Sequence, residues 1–159
     1  MSQRLNFFQQ SPALAKKFTE LSMLMRETTL EAGLLDFVNI RASQLNGCAF
    51  CLDMHVKEAK IHGERDLRVH HVAIWRESQL FSPRERAAFA WTEALTQLSS
   101  HGVSDALYAQ ALEHFTEAEL SDLTFQIVII NGWNRANIAF PKVPGSLDKA
   151  YGLDKAGLA

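Results

Sequence analysis

The dipeptide Asn46-Gly47 constrains the fold of this chain more than any other feature of its sequence. It interrupts a run of helix-periodic residues. Before it, Leu34, Val38, Ala42 and Leu45 share one helical face. After it, Cys48, Leu52, His55, Ala59 and His62 form one stripe, and Phe50, Met54, Lys57 and Ile61 a second. Asn and Gly both tolerate positive φ, so the pair ends the first of these helices, and Gly63 ends the second. Two partly apolar stripes predict a helix packed on more than one side.

The remaining punctuation is helical as well. Ser11-Pro12 starts a helix carrying Leu14, Phe18, Leu21 and Leu24, which Gly33 is expected to break. Residues 64–78 read as one helix. Ser82-Pro83-Arg84-Glu85 opens another, closed by Gly102, and Ser104 caps the next. Thr116 and Glu119 form a capping box before a long helix over roughly residues 117–139, which is apolar nearly all round and so belongs in a core or at a subunit interface. Within it, the segment Asn131-Gly132-Trp133-Asn134-Arg135 could bring polar groups to a site, or Gly132 could serve close helix contact. No stretch alternates with period two, so no strand is expected. The chain reads as one all-α domain over residues 1–159. Residues 145–159 form its C-terminal tail, loosely ordered or draped over a neighbour.

Bulk properties narrow the classes of function. With 159 residues, 47% of them hydrophobic and 21% charged, the chain can bury a substantial core. A net charge of -2 leaves no electrostatic footprint for nucleic acid or an anionic membrane. The longest aliphatic run, Ile127 to Ile130, is far too short to span a bilayer, and the first residues lack a signal-peptide pattern. Two cysteines are too few for a secreted disulfide scaffold, so a cytoplasmic setting is expected, where a close pair is redox-active or metal-binding.

Both cysteines stand in the central stretch. At a spacing of three on a helix, Cβ atoms lie about 5–6 Å apart, and a modest adjustment reaches disulfide separation. Cys48 falls at a helix start, where free amides and the dipole favour thiolate, an argument for its being the more exposed of the pair. His55 lies one turn beyond Cys51 and could exchange a proton with it directly or through water. If the two central helices are antiparallel, Asp36 and His55 stand at about the same height at 1.5 Å per residue. Asp36 would then orient the ring. One continuous helix would instead put Asp36 about 18 Å from Cys48. Asp53 would oppose a nearby thiolate, so its side chain is expected to point elsewhere, and His62 is expected to serve the helix dipole. Three alternatives stay open: half of a zinc site with His55 and His62 as ligands, two inert buried cysteines, or a thiol–disulfide oxidoreductase acting on proteins.

The segment from Arg41 to His55, RASQLNGCAFCLDMH, resembles the core of the carboxymuconolactone decarboxylase / alkylhydroperoxidase D (AhpD-like) superfamily: Cys-x-x-Cys-x-x-x-His preceded by Ser-Gln-x-Asn-Gly. Residues 81–88 and 130–135 are similar to the same family, and the likeness covers roughly residues 10–145. The resemblance implies an all-α AhpD-like helical bundle that assembles as homotrimers or homohexamers. It implies a peroxidase of organic hydroperoxides that cycles Cys48 and Cys51 between dithiol and disulfide. The substrate is then a small-molecule hydroperoxide, and the reductant a dithiol such as a lipoyl- or thioredoxin-type protein. No metal or other cofactor is implied. Within that pattern Cys51 is expected to attack the peroxide, with Cys48 resolving, and His55 matches the family histidine. Asp36 stands where Glu is usual, and Phe50 where the family has a further histidine between the cysteines. Retention of both cysteines argues against lactone decarboxylation.

Overall fold

The structure, a computed structural model, describes residues 4–158. The first three residues of the leader reading and Ala159 of the tail lie outside the described residues. Among the described residues the secondary structure is helical, without strands. The helices are α1 (Phe7–Gln10), α2 (Pro12–Leu24), α3 (Ala32–Asn46), α4 (Ala49–Ile61), α5 (Asp66–His71), α6 (Pro83–Thr96), α7 (Asp105–Leu112), α8 (Glu117–Ala139) and α9 (Asp148–Tyr151).

Helix α3 is the centre of the bundle, packed against α4, α6 and α8. Its Phe37, Val38, Ile40 and Ala42 are fully buried. One face joins Val38 to Trp91, Leu123 and Ile127 of α6 and α8. The other joins Phe37 and Ile40 to Ala59, Val72 and Phe89. There Phe81 meets Phe37 edge-on at 5.4 Å and Phe89 at 5.0 Å, the geometry aromatic quadrupoles favour. Each such buried side chain contributes about 1.5–3 kcal/mol, so two apolar faces fix α3 more firmly than any single polar contact could.

The antiparallel hairpin of α3 and α4 forms as expected. Gly47 adopts φ 69°, and the amides of Gly47 and Cys48 close on the carbonyls of Gln44 and Ser43. Asn46 donates to the Asn131 and Asn134 side chains of α8, each at 2.9 Å. Asn134, fully buried, donates to Ser43 Oγ at 3.1 Å. The polar segment of α8 therefore clamps the hairpin turn, and a fully satisfied buried network of this kind fixes position. Gly132 serves contact: a Cβ there would stand 2.6 Å from the Phe18 ring of α2.

Several boundaries differ from expectation, among them α6, which stops at Thr96 short of Gly102. Helix α2 stops at Leu24, followed by a 3-10 turn over Met25–Glu27. Thr28 is extended and its hydroxyl donates to the Met25 carbonyl, an alternative to continuing the helix. Gly33 then lies inside the first turn of α3. Helix α5 ends at His71 and passes into a 3-10 turn over Val72–Ile74, and Arg86 of α6 donates to the carbonyls of Trp75, Arg76 and Ser78 beyond it. Finally, residues 145–158 carry regular structure. They carry α9 and a 3-10 turn over Leu153–Ala156, whose Leu153 is buried, and this segment packs back on α4 of its own chain. Lys57 of α4 bonds both Asp53 and Asp148, and the Gly145 amide donates to Asp53. Asp148 of the segment satisfies a buried cation instead of facing water.

Helix α8 buries Leu123, Ile127 and Ile130, while Phe125 and Val128 remain more than half exposed. No helix among the described residues is long and apolar enough to cross a membrane.

Candidate redox site

Cys48 is the N-cap of α4 and Cys51 lies in its first turn. Their Cα atoms are 5.4 Å apart and the sulfurs are joined as a disulfide, within the span such a bond requires. Cys48 Sγ also accepts from the Cys51 amide, capping the helix. Both side chains are buried, at 2% and 1% exposure. Cys48 is therefore not the exposed member that a helix start suggests: Leu147, from the segment folded back on α4, packs against it and Phe50. Cys51 lines a cavity of about 720 Å³, whose walls include Met54, Ile130, Trp133 and Asn137.

Two histidine–carboxylate pairs border the same cavity. His55, buried, bonds Glu58 Oε2 through Nδ1 at 2.6 Å. Burial acts to raise the Glu58 pKa, but the hydrogen bond and charge of His55, helped by Arg26, outweigh it and hold the carboxyl below its usual range. An ionised carboxylate only accepts, so Nδ1 carries the proton. In the neutral ring the Nε2 lone pair is then free to act as a base. Nε2 has no partner among the described residues. The second pair is His62 Nδ1 with Asp36 Oδ2, also 2.6 Å. Burial pushes the Asp36 carboxyl up, and His62 counters this only in part.

Asp36 thus bonds His62, not His55. Gly47 and Cys48 reverse the chain and add no helical rise to either arm of the hairpin. Without them His55 stands about 10 Å from the turn, Asp36 about 15 Å and His62 about 20 Å. Side chains tilt toward each helix N-terminus. In antiparallel partners that moves the Asp36 carboxylate away from the turn and both imidazoles toward it, which closes the gap to His62 and widens that to His55. His62 accordingly holds a carboxylate rather than only complementing the helix end. Asp53 points away from the sulfurs, to Lys57 and Gly145.

Two residues were not singled out from the sequence. Glu58 follows His55 by three positions on one helix, a spacing at which side chains meet, so its signal was present. Asn137 continues the three-residue polar spacing of Asn131 and Asn134. Its Nδ2 donates to Cys51 Sγ at 3.6 Å and to the Trp133 carbonyl, while its buried Oδ1 has no partner among the described residues. Among the described residues no three His, Cys, Asp or Glu side chains converge as a metal site.

An all-helical bundle with a buried Cys-x-x-Cys hairpin turn defines a class, and sequence comparison agrees with it: the chain belongs to the carboxymuconolactone decarboxylase family, which matches over residues 12–94. It is 36% identical to the uncharacterized protein YdfG of Bacillus subtilis over 87% of this chain and 95% of that protein. In structure it is similar to ATU0492 of Agrobacterium tumefaciens, a protein of unknown function for which an AhpD antioxidant-defence role has been suggested. The TM-score is 0.86 at 33% identity, over 90% of this chain and 98% of that one. The debrominase Bmp8 shares the fold, with a TM-score of 0.77 at 20% identity over 94% and 80% of the two chains.

Proposed function

We propose that the protein is a thiol-dependent peroxidase that reduces organic hydroperoxides through Cys48 and Cys51. The observation that carries this reading is Cys51, which faces a cavity beside a histidine whose Nδ1 is committed to a carboxylate and whose Nε2 is free. His55 takes the Cys51 proton through Nε2, and the Asn137 amide supports the thiolate. The thiolate attacks the terminal oxygen of the hydroperoxide and the O–O bond breaks. Cys51 becomes a sulfenic acid, and the departing alkoxide takes the proton back as an alcohol. Cys48 attacks the sulfenic sulfur, water leaves and the disulfide forms. A dithiol, such as a lipoyl- or thioredoxin-type protein, supplies two electrons and two protons by exchange. Asp36 acts on His62 at the cavity wall as a positioning group. The half-exposed Phe125 and Val128 of α8 suit assembly as a homotrimer or homohexamer. The resemblance of ATU0492 to this chain is in keeping with such a role.

The test is thiol counting. Protein reduced and freed of reductant is titrated before and after one equivalent of cumene hydroperoxide. Two thiols per chain should be lost. Cys48→Ser should stop at a sulfenic acid that dimedone traps, and Cys51→Ser should lose none. Full retention of thiols in the unaltered protein would sink the proposal.

A further inference from the structure

We propose that Lys142 anchors a carboxylate, so that the preferred substrates are hydroperoxides joining an apolar body to an acidic group. This inference rests on the peroxidase reading and deepens it.

The cavity beside Cys51 contains four charged residues besides its histidines. Three have partners: Arg26 approaches Glu58 at 4.0 Å, Glu58 holds His55, and Asp36 holds His62. Lys142 has no carboxylate within ion-pairing distance and no hydrogen-bond acceptor among the described residues. Its ammonium is set against three aromatic faces, 4.5 Å from the Phe8 ring centroid, 4.9 Å from Phe7 and 5.3 Å from Phe50. Those faces attract a cation and fix where it stands. They accept none of its three N–H donors as a carboxylate would. Burial alone pulls the Lys142 pKa down, which is the signature of an ammonium whose charge lacks compensation.

Position gives the anchor its use. Lys142 lines the 720 Å³ cavity and a neighbouring one of about 470 Å³, with Phe8 and Tyr151 also common to both. Phe50, which flanks the ammonium, directly precedes Cys51 in the chain. From this rim the cavity continues along Met25, Leu30, Leu35, Ile129 and Ile130. A cavity that joins this apolar wall to one cation without an anionic partner can orient an amphiphile, with its acid on Lys142 and its hydrocarbon along the wall. A long-chain fatty acid hydroperoxide has this chemistry.

The experiment compares a fatty acid hydroperoxide, its methyl ester and cumene hydroperoxide as substrates. A partly buried ion pair of about 1 kcal/mol corresponds to about fivefold, so kcat/KM for the acid should exceed that for the ester by at least about fivefold. Lys142→Met should bring that ratio to within about twofold of unity, and Lys142→Arg should keep it. Equal efficiency for acid and ester in the unaltered protein overturns the proposal whether or not any variant folds, as does a ratio that survives Lys142→Met. A second arm separates this inference from the reading beneath it. Equilibrium dialysis of the unreactive hydroxy acid and its ester against the oxidised protein reads the anchor without turnover. If cumene hydroperoxide is not reduced but the acid still binds at least about fivefold tighter than the ester, the peroxidase reading falls and the anchor stands. Equal binding of acid and ester removes the anchor.

Discussion

Lys57 offers the sharpest test of how the site is enclosed. Its ammonium is buried, 7% exposed, between Asp53 and Asp148, whose side chains are 27% and 20% exposed. Lys57→Met keeps much of the volume but leaves two carboxylates facing each other, with the Gly145 amide still serving Asp53. Removing one partner of a buried pair costs about 3–5 kcal/mol. Both carboxylates retain some solvent, so about 2–3 kcal/mol is expected here. For a domain of this size each kcal/mol moves Tm by about 2–4 °C, which gives a fall of roughly 4–12 °C. The loss should be local first, because residues 145–156 reach α4 through this cluster. Amide exchange in that segment should accelerate, and a small dithiol should reduce the disulfide severalfold faster as Leu147 leaves Cys48. The pH dependence is also fixed. Burial acts to lower the Lys57 pKa, but bonds and charges from Asp148 and Asp53 outweigh it and raise it above 10.5. A raised lysine stabilises fully below its unfolded value and is lost as pH rises through its folded one. The difference between the two proteins should therefore hold from pH 7 to 10 and shrink only above that. Thermal unfolding and mass-spectrometric exchange give the answer; a Tm within about 1 °C together with unchanged exchange at 145–156 would refute the reasoning.

Two further outcomes follow from charge. The Asp36 carboxyl titrates above its ordinary 3.8, so the folded state keeps a proton that the unfolded chain has lost, and stability falls as pH rises from about 3.8 through the folded value. Asp36→Asn removes that cost while its Oδ1 still accepts from His62, so it should be more stable by about 1 kcal/mol at pH 7 in denaturant unfolding, the gain vanishing near pH 3; equal stability at pH 7 would contradict this. Glu119, held by Arg84 and by the Thr116 amide, is lowered from 4.5 to about 2. Its contribution is present above pH 4.5 and lost as pH falls toward 2, so Glu119→Gln should cost about 1–2 kcal/mol at pH 7 after discounting for solvent and nothing near pH 2, as unfolding curves across that range would show.

Much of the scaffold could be read from caps and periodicity, because those signals are local. The capping boxes at Ser82 and Thr116 are both formed, and the long helix runs from Glu117 to Ala139 as its pattern indicated. What escaped was decided at a distance. Nothing within residues 64–78 announces that Arg86 will take their carbonyls, and nothing in a polar stretch after Pro144 announces a buried lysine waiting on α4. At the site, the cysteine pair and His55 were legible because their spacing along one helix fixes their neighbourhood. Asp36 was misassigned to His55 because its partner depends on how two helices tilt against each other, a relation that counting residues does not capture. Glu58 was a different kind of miss, since its position three residues from His55 was visible throughout.

The packing of Leu147 over Cys48 has a consequence in the order of synthesis. Cys48 leaves the ribosome about 99 residues before the side chain that covers it, roughly 5–20 s at ordinary elongation rates. The Asn134 contact that clamps the hairpin turn also comes late, but still ahead of the cover. Until residue 147 is made, the hairpin lacks the side chain that packs on the Cys48, Phe50 and Cys51 cluster. The enclosure of the two sulfurs thus depends on a segment far along the chain from the hairpin it covers.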